Sequence, residues 1–210
     1  MLARGSSLAL TNQFKRYRTS LMIAIATLGL GVVFGGLAIG TLTMADKAML
    51  LNYVHRFIQV ESHAPVGFAL FTRTLINNLK LLGLLYILGV SVAGMPLVPV
   101  VLFFRGFVAG FAVGFLATSM AWQGIWLSVV TVGLQSLFIV PAILITSAFA
   151  LNFSWNLVSP KSRDAGPAIL EQFAVFTVFV ALMGLVMVVG TALESGVAPF
   201  LMHLLSNWGI

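Results

Sequence analysis

The sequence contains no cysteine, and only 8% of its 210 residues are Asp, Glu, Lys or Arg. The absence of cysteine excludes a disulfide framework, a thiolate metal site and a thiol nucleophile. Soluble domains have about 25% charged residues, so a chain with this little charge cannot cover its surface with groups that water solvates. The composition therefore excludes an ordinary soluble domain.

Acidic residues are scarce, with five in the whole chain. General acid–base catalysis needs titratable groups that converge on one point, whereas these residues are spread over three separate segments. No Gly-x-Ser-x-Gly elbow is present either. We therefore predict that the protein is not an enzyme and has no catalytic residue. The five acidic residues are Asp46, Glu61, Asp164, Glu171 and Glu194.

His55, Glu61 and His63 come closest to a metal-binding cluster. Their spacing matches neither a helix face of the type His-x-x-x-His nor any structural zinc pattern. Interfacial side chains that pair with lipid headgroups or water explain them more simply. We expect neither a metal nor a cofactor.

Apolar residues make up 60% of the chain, and the mean hydropathy is +1.08. Apolar runs of about 20 residues are long enough to cross a bilayer as α-helices. We therefore predict an all-α, polytopic membrane helix bundle that forms one domain over residues 20–210, with five transmembrane helices and additional interfacial amphipathic helices. The predicted spans are residues 20–45, 79–104, 106–122, 125–151 and 173–193.

The segments between the spans are more polar. Residues 1–19 predict a basic, partly amphipathic segment at the membrane surface, with a solvated tail as the alternative. Residues 46–78 predict an insert with an amphipathic helix that does not cross. Residues 152–172 predict a polar loop, and residues 197–210 are too few to cross and are expected at the interface.

Two local signals set the predicted ends of the middle spans. Pro96 and Pro99 are expected to kink or break the second span toward its far end. Arg105 is interpreted as the boundary between the second and third spans, and Gln123-Gly124 as a tight hairpin into the fourth.

The formal net charge is +6, and the basic residues cluster beside apolar runs. Anionic headgroups and membrane topology explain this pattern better than nucleic acid, so we predict no nucleic-acid partner. The positive-inside rule predicts a cytoplasmic N-terminus and, after five crossings, an extracytoplasmic C-terminus. The predicted cytoplasmic side has Arg4, Lys15, Arg16, Arg18, Arg105, Lys161 and Arg163, and the other side has Lys47, Arg56, Arg73 and Lys80.

Small residues predict where helices pack. Gly106, Gly110 and Gly114 recur at every fourth residue of the third predicted span, and the pairs Gly31/Gly35 and Gly36/Gly40 do so in the first. This spacing lets helix backbones approach closely. It indicates either packing within the bundle, which we favour, or a docking surface for another protein's helix.

Four polar residues are further candidates for packing or docking. Gln135 is predicted to lie in the middle of the fourth span, where an amide is expected to hydrogen-bond across helices. Arg105 is expected to reach the cytoplasmic headgroups, and a role in ion conduction is the alternative. Asn77 and Asn78 have three possible roles: they cap a helix, bind headgroups or face a partner.

Residues 71–116 and 134–145 resemble the stage II sporulation protein M family of bacterial membrane proteins. The chain length, the basic N-terminus and the insert after the first span are similar too. The family pattern has a small polar residue before Gly106, where this chain has Arg105, so the likeness does not distinguish a sporulation member from a relative outside sporulation. The matching elements are Asn77-Asn78, Gly89 and Gly94 before Pro96, Gly106 with Gly110 after it, and the segment LQSLFIVPAILI.

The resemblance implies a non-enzymatic scaffold in the cell membrane. The scaffold would belong to a peptidoglycan-remodelling complex required for engulfment during sporulation. Its implied partners are membrane-anchored peptidoglycan hydrolases resembling stage II sporulation proteins D and P. A small-molecule transporter or channel subunit is the alternative, because the proline-interrupted second span resembles the discontinuous helices of transporters.

Overall fold

The computed structural model describes residues 2–61, 68–128, 134–158 and 166–207, and it describes side chains over residues 16–53, 71–119, 137–158 and 169–192. All the secondary-structure elements in these ranges are helices, and the ranges contain no strand. The predicted all-α class is therefore confirmed. The six α-helices are α1 (Leu2–Ala38), α2 (Met44–Glu61), α3 (Phe68–Val90), α4 (Gly94–Ser128), α5 (Leu134–Val158) and α6 (Gly166–Asn207), and one 3-10 turn, Ile39–Thr41, follows α1.

Five of the helices contain a segment that is long and apolar enough to cross a membrane. This number agrees with the predicted number of spans. The remaining helix, α2, lies between the first two segments and has too little apolar character to qualify. The five candidate spans are Arg16–Thr41, Phe71–Val90, Gly94–Ser119, Leu137–Val158 and Ile169–Ala192.

The boundary between the second and third spans differs from the prediction. α3 ends at Val90, and α4 begins only four residues later at Gly94, so no single helix covers residues 79–104. The backbone N–H of Gly94 donates to the carbonyl of Ser91 at 3.0 Å, and a Cβ at Gly94 would lie 2.0 Å from the carbonyl oxygen of Leu88. A residue without a side chain therefore closes this tight turn.

Pro96 and Pro99 lie in the first two turns of α4. The first four N–H groups of a helix have no partner inside it, so Pro96 costs α4 no hydrogen bond. The prolines accordingly follow the start of a new helix rather than kink an old one. Because α4 starts at Gly94, the prediction that Arg105 marks a span boundary is wrong.

α4 also continues past the predicted hairpin. Gln123 and Gly124 are helical, and the helix ends at Ser128. A glycine inside an apolar membrane helix does not stop it, since lipid offers the backbone no competing partner. The fourth span is shifted as well, because residues 125–128 belong to α4 and α5 covers Leu134–Val158 rather than residues 125–151.

The other helix boundaries also differ from the predicted ones. The helix of the second candidate span, α3, begins at Phe68, inside the segment predicted not to cross. The predicted polar loop is helical over 152–158 and 166–172. α6 continues without a break to Asn207, through the segment predicted to leave the span after Glu194. Residues 2–19 form the start of α1.

Helix directions follow from the contacts. Gly106 approaches Leu28, and Gly110 approaches Val32. Residue numbers therefore increase in the same direction along the two helices, so α1 is parallel to α4. α3 precedes α4 through a tight turn and is antiparallel to it. We call the end of the bundle that is nearest α2 the α2 end, and the opposite end, where Arg16 lies, the Arg16 end.

α5 is the central helix of the bundle. In the apolar window of its candidate span 61% of the residues are buried, against 22% in each of the other four spans. α5 contacts α1, α3, α4 and α6, whereas α1 packs mainly on α4. Large apolar side chains fill the interior around α5, among them the fully buried Leu85, Leu102, Ile143, Phe176 and Met187.

Candidate functional site: a glycine seam and polar groups of the spans

The predicted glycine face of α4 packs against α1. A Cβ at Gly106 would lie 2.2 Å from the carbonyl oxygen of Leu28, and one at Gly110 would lie 2.1 Å from that of Val32. Real Cβ atoms essentially never come closer than 3.0 Å to another heavy atom. Only glycine therefore permits this helix separation.

The contact is reciprocal. A Cβ at Gly31 or Gly35 would lie 2.2 Å or 2.0 Å from the carbonyl oxygen of Phe103 or Phe107. We call Gly31, Gly35, Gly106 and Gly110 the glycine seam. It is covered on both sides by the chain's own helices, so a partner helix cannot reach it while α1 is in place.

Two further glycines of the predicted pattern behave differently. Gly114 meets the side chain of Ile39 rather than backbone, since its Cβ would lie 2.4 Å from Ile39 Cδ1. Gly40 has no described atom within 4 Å of its Cβ position. The close approach therefore ends about one turn before the end of α1.

A row of phenylalanines runs beside the seam on α4. Phe103, Phe107, Phe111 and Phe115 follow each other at four-residue spacing, and neighbouring ring centroids are 6.3–6.4 Å apart. Phe34 of α1 approaches Phe103 with a centroid distance of 6.0 Å. These rings pack along one edge of the seam and add dispersion contact to it.

Asn77 and Asn78 point in different directions. Asn78 is only 3% exposed and shares a face of α3 with the buried residues Leu82 and Leu85. Its Nδ2 donates no hydrogen bond within the described chain. Asn77 lies about 100° around α3 from Asn78 and is exposed. The two amides therefore have different environments, which their adjacency in sequence does not reveal.

Arg105 lies in the middle of the third candidate span. It is 11 residues beyond the start of α4 at Gly94, which corresponds to about 16 Å along the helix in a hydrocarbon core of about 30 Å. Arg105 is partly buried and shares a face with the buried residues Val98 and Leu102. Arg105 therefore lies inside α4 and not at the start of a helix, and its predicted contact with the headgroups stays a prediction.

Gln135 is the second residue of α5, so it lies at the beginning of that helix and not at its middle. Its side chain is outside the described side chains. The buried polar groups in the middle of α5 are instead Thr146 and Ser147, 1% and 0% exposed. Their hydroxyls make no hydrogen bond within the described chain. Such groups are unusual in a folded interior.

A chain of hydrogen bonds links three helices at the Arg16 end. Arg16 Nη1 donates to Asn156 Oδ1, and Asn156 Nδ2 donates to Gln172 Oε1 at 2.8 Å. The guanidinium of Arg16 also lies 5.9 Å from the ring centroid of Trp155. We call Arg16, Asn156 and Gln172 the polar clamp, since it joins α1, α5 and α6.

At the other end, Thr43 and Asp46 form a capping box at the start of α2. The backbone N–H of Asp46 donates to Thr43 Oγ1 at 3.3 Å, and that of Thr43 donates to Asp46 Oδ2 at 3.1 Å. Hydrogen bonds from the Thr43 hydroxyl and backbone lower the pKa of Asp46 below its usual value. The carboxylate of Asp46 therefore caps the first turn of α2.

The described residues contain no group of three His, Cys, Asp or Glu side chains arranged to hold a metal ion. The residues that come closest to a metal-binding cluster in the sequence are not covered by this statement. The side chains of His55 and Glu61 are not among those described, and His63 lies outside the described residues.

The sequence prediction missed two groups of residues. Asn156 and Gln172 of the polar clamp were assigned to the polar loop at 152–172 and Arg16 to the surface segment at 1–19, whereas Asn156 lies in the last turn of α5 and Gln172 in the second turn of α6. Arg73 and Lys80 were counted as flanking charges, although with Asn77 they are spaced i, i+4, i+7, which places them on one helix face. That spacing was readable from the sequence.

Five apolar candidate spans, four of which pack around the fifth, define a multi-pass α-helical membrane protein. A family model, Stage II sporulation protein M, matches residues 24–199, so the chain belongs to this sporulation-related family of membrane proteins. The match includes the glycine seam, Arg105 and the polar clamp except Arg16. No curated protein and no solved structure shows a significant match to the chain.

Proposed function

We propose that the protein is a non-enzymatic scaffold of a peptidoglycan-remodelling complex required for engulfment. In this role it anchors and positions membrane-bound cell-wall hydrolases that resemble stage II sporulation proteins D and P. Family membership supports the sporulation context. The position of α2 is the structural observation that carries the scaffold role.

α2 has no extensive packing contact with any bundle helix among the described residues. Its first three turns expose large side chains to solvent or headgroups: Met44 is 84% exposed, Met49 76% and Tyr53 70%. Methionine and tyrosine are side chains that adaptable and aromatic protein interfaces use. A helix that stands apart from the bundle at the membrane surface offers such an interface to a membrane-anchored enzyme.

The proposal includes an orientation with the Arg16 end in the cytoplasm. Arg73 and Lys80 lie in the second candidate span and Arg105 in the third, so none of them counts as a loop charge. Counted in the same way, the α2 end has Lys47 and Arg56, whereas four basic residues lie outside the spans at the other end. Those four are Arg4, Lys15, Lys161 and Arg163.

The orientation is testable because the chain has no cysteine of its own. Single cysteines are introduced at Met49 in α2 and at Glu171 at the start of the fifth span, both of them exposed. An impermeant thiol reagent applied to intact cells should label position 49 and spare position 171 until the cells are lysed. The reverse pattern would place α2 in the cytoplasm and remove the scaffold proposal.

A small-molecule transporter is the second candidate function. The feature that first suggested it, a proline-broken span, is two separate helices. A different observation favours it: Arg105 lies at mid-span, and Asn78, Thr146 and Ser147 are buried without hydrogen bonds in the described interior. Ionisable and polar groups at this depth often mark a substrate pathway.

Affinity purification from sporulating cells separates the two functions. The tagged full chain should recover the hydrolases, and a Met49→Ala, Tyr53→Ala variant should recover fewer at equal protein level. Leu182→Ala is the control, because Leu182 of α6 is 50% exposed and lies outside α2. This variant should recover the normal amount of the hydrolases. Normal recovery with the α2 variant would exclude α2 as the docking element, and absence of hydrolases from the wild-type sample would contradict the scaffold role.

A further inference from the structure

Four buried polar side chains of the described bundle have an atom without a hydrogen-bond partner. Three of them come one from each of α3, α5 and α6: Asn78, Thr146 and Thr191, each at most 3% exposed. The fourth, Ser147, shares a face of α5 with Ser154, whose hydroxyl donates to the α3–α4 turn. Burial removes the hydrogen bonds that such groups make with water, so an unpartnered group in a folded interior indicates a ligand or bound water.

Asn78 and Thr146 face the interior between α3, α5 and α6. Asn78 lies about three helical turns before Gly89, so the two share a face of α3. A Cβ at Gly89 would lie 2.8 Å from Ala150 Cβ of α5 and 2.8 Å from Phe176 Cζ of α6. Thr146 is four residues before Ala150 and shares its face of α5. Both polar side chains are therefore directed into the interior that the three helices share.

Thr191 faces the same interior from α6. It is seven residues after Gly184, so the two share a face, and a Cβ at Gly184 would lie 3.4 Å from Leu82 Cδ2 of α3. Asn78 is four residues before Leu82, and α3 and α6 are antiparallel. Counted from the contact of Leu82 with Gly184, Asn78 is about 6 Å and Thr191 about 10 Å nearer the α2 end. The two groups are therefore about 4 Å apart along the bundle axis.

Thr146 lies deeper in the bundle. It is about 6 Å on the α2 side of Ala150, whereas Asn78 is about 16 Å on the α2 side of Gly89, which Ala150 contacts. Because α3 and α5 are parallel, Thr146 is about 10 Å further from the α2 end than Asn78 is. We call Thr191, Asn78 and Thr146 the polar line, which leads from the α2 end toward the middle of the bundle.

Aromatic rings close the same interior on the Arg16 side of the polar line. Phe176 stacks on Tyr86 with a centroid distance of 5.4 Å and on Phe153 with one of 5.7 Å. Phe173 lies 6.1 Å from Phe153. The one hydroxyl of this ring cluster, that of Tyr86, shares a hydrogen bond with Thr177 Oγ1 at 3.1 Å. The unpartnered groups and the packed rings therefore occupy different depths of one interior.

The chemistry of the polar line favours a neutral ligand that both donates and accepts hydrogen bonds. The unpartnered Nδ2 of Asn78 is a donor, and the hydroxyls of Thr146 and Thr191 donate and accept. Water has both capacities, and internal water molecules typically bond to about three polar groups.

We propose that the polar line lies in a narrow hydrated crevice between α3, α5 and α6. The crevice is open to the α2 end and closed toward the Arg16 end by the aromatic rings. Water molecules bound in it hydrogen-bond to Thr191 and Asn78 first and reach Thr146 near the middle of the bundle.

The inference rests on neither proposed function. It concerns the interior of the bundle, whereas the scaffold proposal depends on α2 at its surface. The test uses the chain alone, without a hydrolase or a transported substrate, so its failure is distinguishable from a failure of either function.

The test exploits the absence of cysteine from the chain. Thr191→Cys and Thr146→Cys are small changes in the polar line, and Ala148→Cys is the matched control. Ala148 is 4% exposed and lies two residues after Thr146, at nearly the same depth but about 200° around α5. The full chain in nanodiscs is treated with the small water-soluble reagent aminoethyl methanethiosulfonate, and mass spectrometry measures the rate of modification.

A thiol reacts as its thiolate, which forms where water solvates it. Thr191→Cys should react fastest, because it lies nearest the opening, and Thr146→Cys more slowly. Both should react at least about tenfold faster than Ala148→Cys, whose surroundings are equally buried but outside the polar line.

A second substitution tests whether water passes along the polar line. Asn78→Leu places an apolar side chain of similar size between the two cysteine positions. It should slow modification at position 146 to the rate of Ala148→Cys and leave the rate at position 191 unchanged, which also shows that the fold is retained. Asn77→Leu, at the adjacent exposed residue, is the control and should change neither rate.

Equal rates at positions 191, 146 and 148 would show a dry interior and overturn the proposal. Faster modification at position 146 than at position 191 would exclude entry from the α2 end. An unchanged rate at position 146 in Asn78→Leu would contradict the proposal as well, because water would then reach the middle of the bundle without following the polar line.

Discussion

The α1–α4 pair and the α3–α5–α6 group are held together by different kinds of contact. In the pair, glycine backbones meet carbonyl oxygens of the facing helix, with Cβ positions at Gly35 and Gly110 only 2.0 and 2.1 Å from them. In the group, large side chains such as Leu85, Phe176 and Met187 are fully buried between helices. The rings of Phe153 and Phe176 stack at 5.7 Å.

The difference determines which substitutions each region tolerates. Added volume in the pair pushes two backbones apart and removes many dispersion contacts at once. The group already accommodates side chains, so lost volume is more damaging there, because it leaves a cavity. The predictions below test this contrast, from the largest expected effect to the smallest.

Gly110→Leu is expected to have the largest effect. A leucine side chain would overlap the backbone of Val32, so α1 must separate from α4 at a cost of about 3 kcal/mol or more. The variant should still insert, because lipid solvates the added side chain. Unfolding in detergent micelles measures the loss of stability. Val113→Leu, at a position 38% exposed, is the control, and equal stability of the two variants would show that the seam is not a packing contact.

Leu85→Ala tests the α3–α5–α6 group. Leu85 is 0% exposed, and the loss of its side chain should destabilise the bundle by about 2 to 3 kcal/mol through the cavity left behind. The adjacent Leu84 is 44% exposed and provides the control, since lipid replaces the contacts that Leu84→Ala removes. Similar losses in both variants, measured by the same unfolding assay, would mean that burial does not distinguish these positions.

Gly35→Ala sharpens the comparison by adding a single methyl group to the seam. The new Cβ would lie 2.0 Å from the carbonyl oxygen of Phe107, and we expect a loss of about 2 kcal/mol. Gly29→Ala, on the same helix, adds a methyl where no described atom lies within 4 Å, so its stability should be unchanged or slightly higher. A reversed order of the two variants would contradict the account of the seam.

Asn156→Ala removes the middle residue of the polar clamp, which joins the two regions. It breaks the hydrogen bonds to Arg16 and Gln172, and a loss of about 1 kcal/mol is expected. Asn52→Ala, at an exposed position of α2, serves as the control. The unfolding midpoints of the two variants should differ, and indistinguishable midpoints would show that the clamp contributes nothing to stability.

The smallest effect concerns the pH dependence of α2. Because its hydrogen bonds with Thr43 lower the pKa of Asp46, the capping contribution is present above the usual carboxyl pKa of 3.8 and is lost as pH falls through the lower folded value. Amide hydrogen exchange in the first turn of α2 should therefore quicken in acid beyond the intrinsic pH effect. In Asp46→Asn the extra change should disappear, and its persistence would assign it to another group.

Much of the fold was readable from the sequence. The number of spans followed from the length of the apolar runs, and α2 was placed between the first two because charges punctuate that segment. The helix boundaries were less accurate. Pro96 was interpreted as a break inside one span, whereas it lies in the first turn of a new helix that begins after a tight turn.

The candidate residues show the same division. Arg105 was interpreted as the end of a span, because a charge inside the hydrocarbon core is costly, yet the true start of α4 places it near mid-depth. Gln135 moved in the opposite direction, to the first turn of α5, since α4 and not α5 includes residues 125–128. Two misplaced turns, one before Gly94 and one at Gln123-Gly124, therefore changed the positions of Arg105 and Gln135 along their helices.

The sequence by itself determined that this chain is a multi-pass helical membrane protein, because composition and run length decide whether a segment prefers lipid to water. The spacing of the glycines also determined which faces of α1 and α4 have no side chains in the way of close helix packing. Only the tertiary structure decided that these two faces meet each other in parallel, that Asn78 is buried while Asn77 is exposed, and that Arg105 lies at mid-span. Those facts depend on where the chain turns and which helices become neighbours, and contacts between residues so far apart in sequence leave no local pattern.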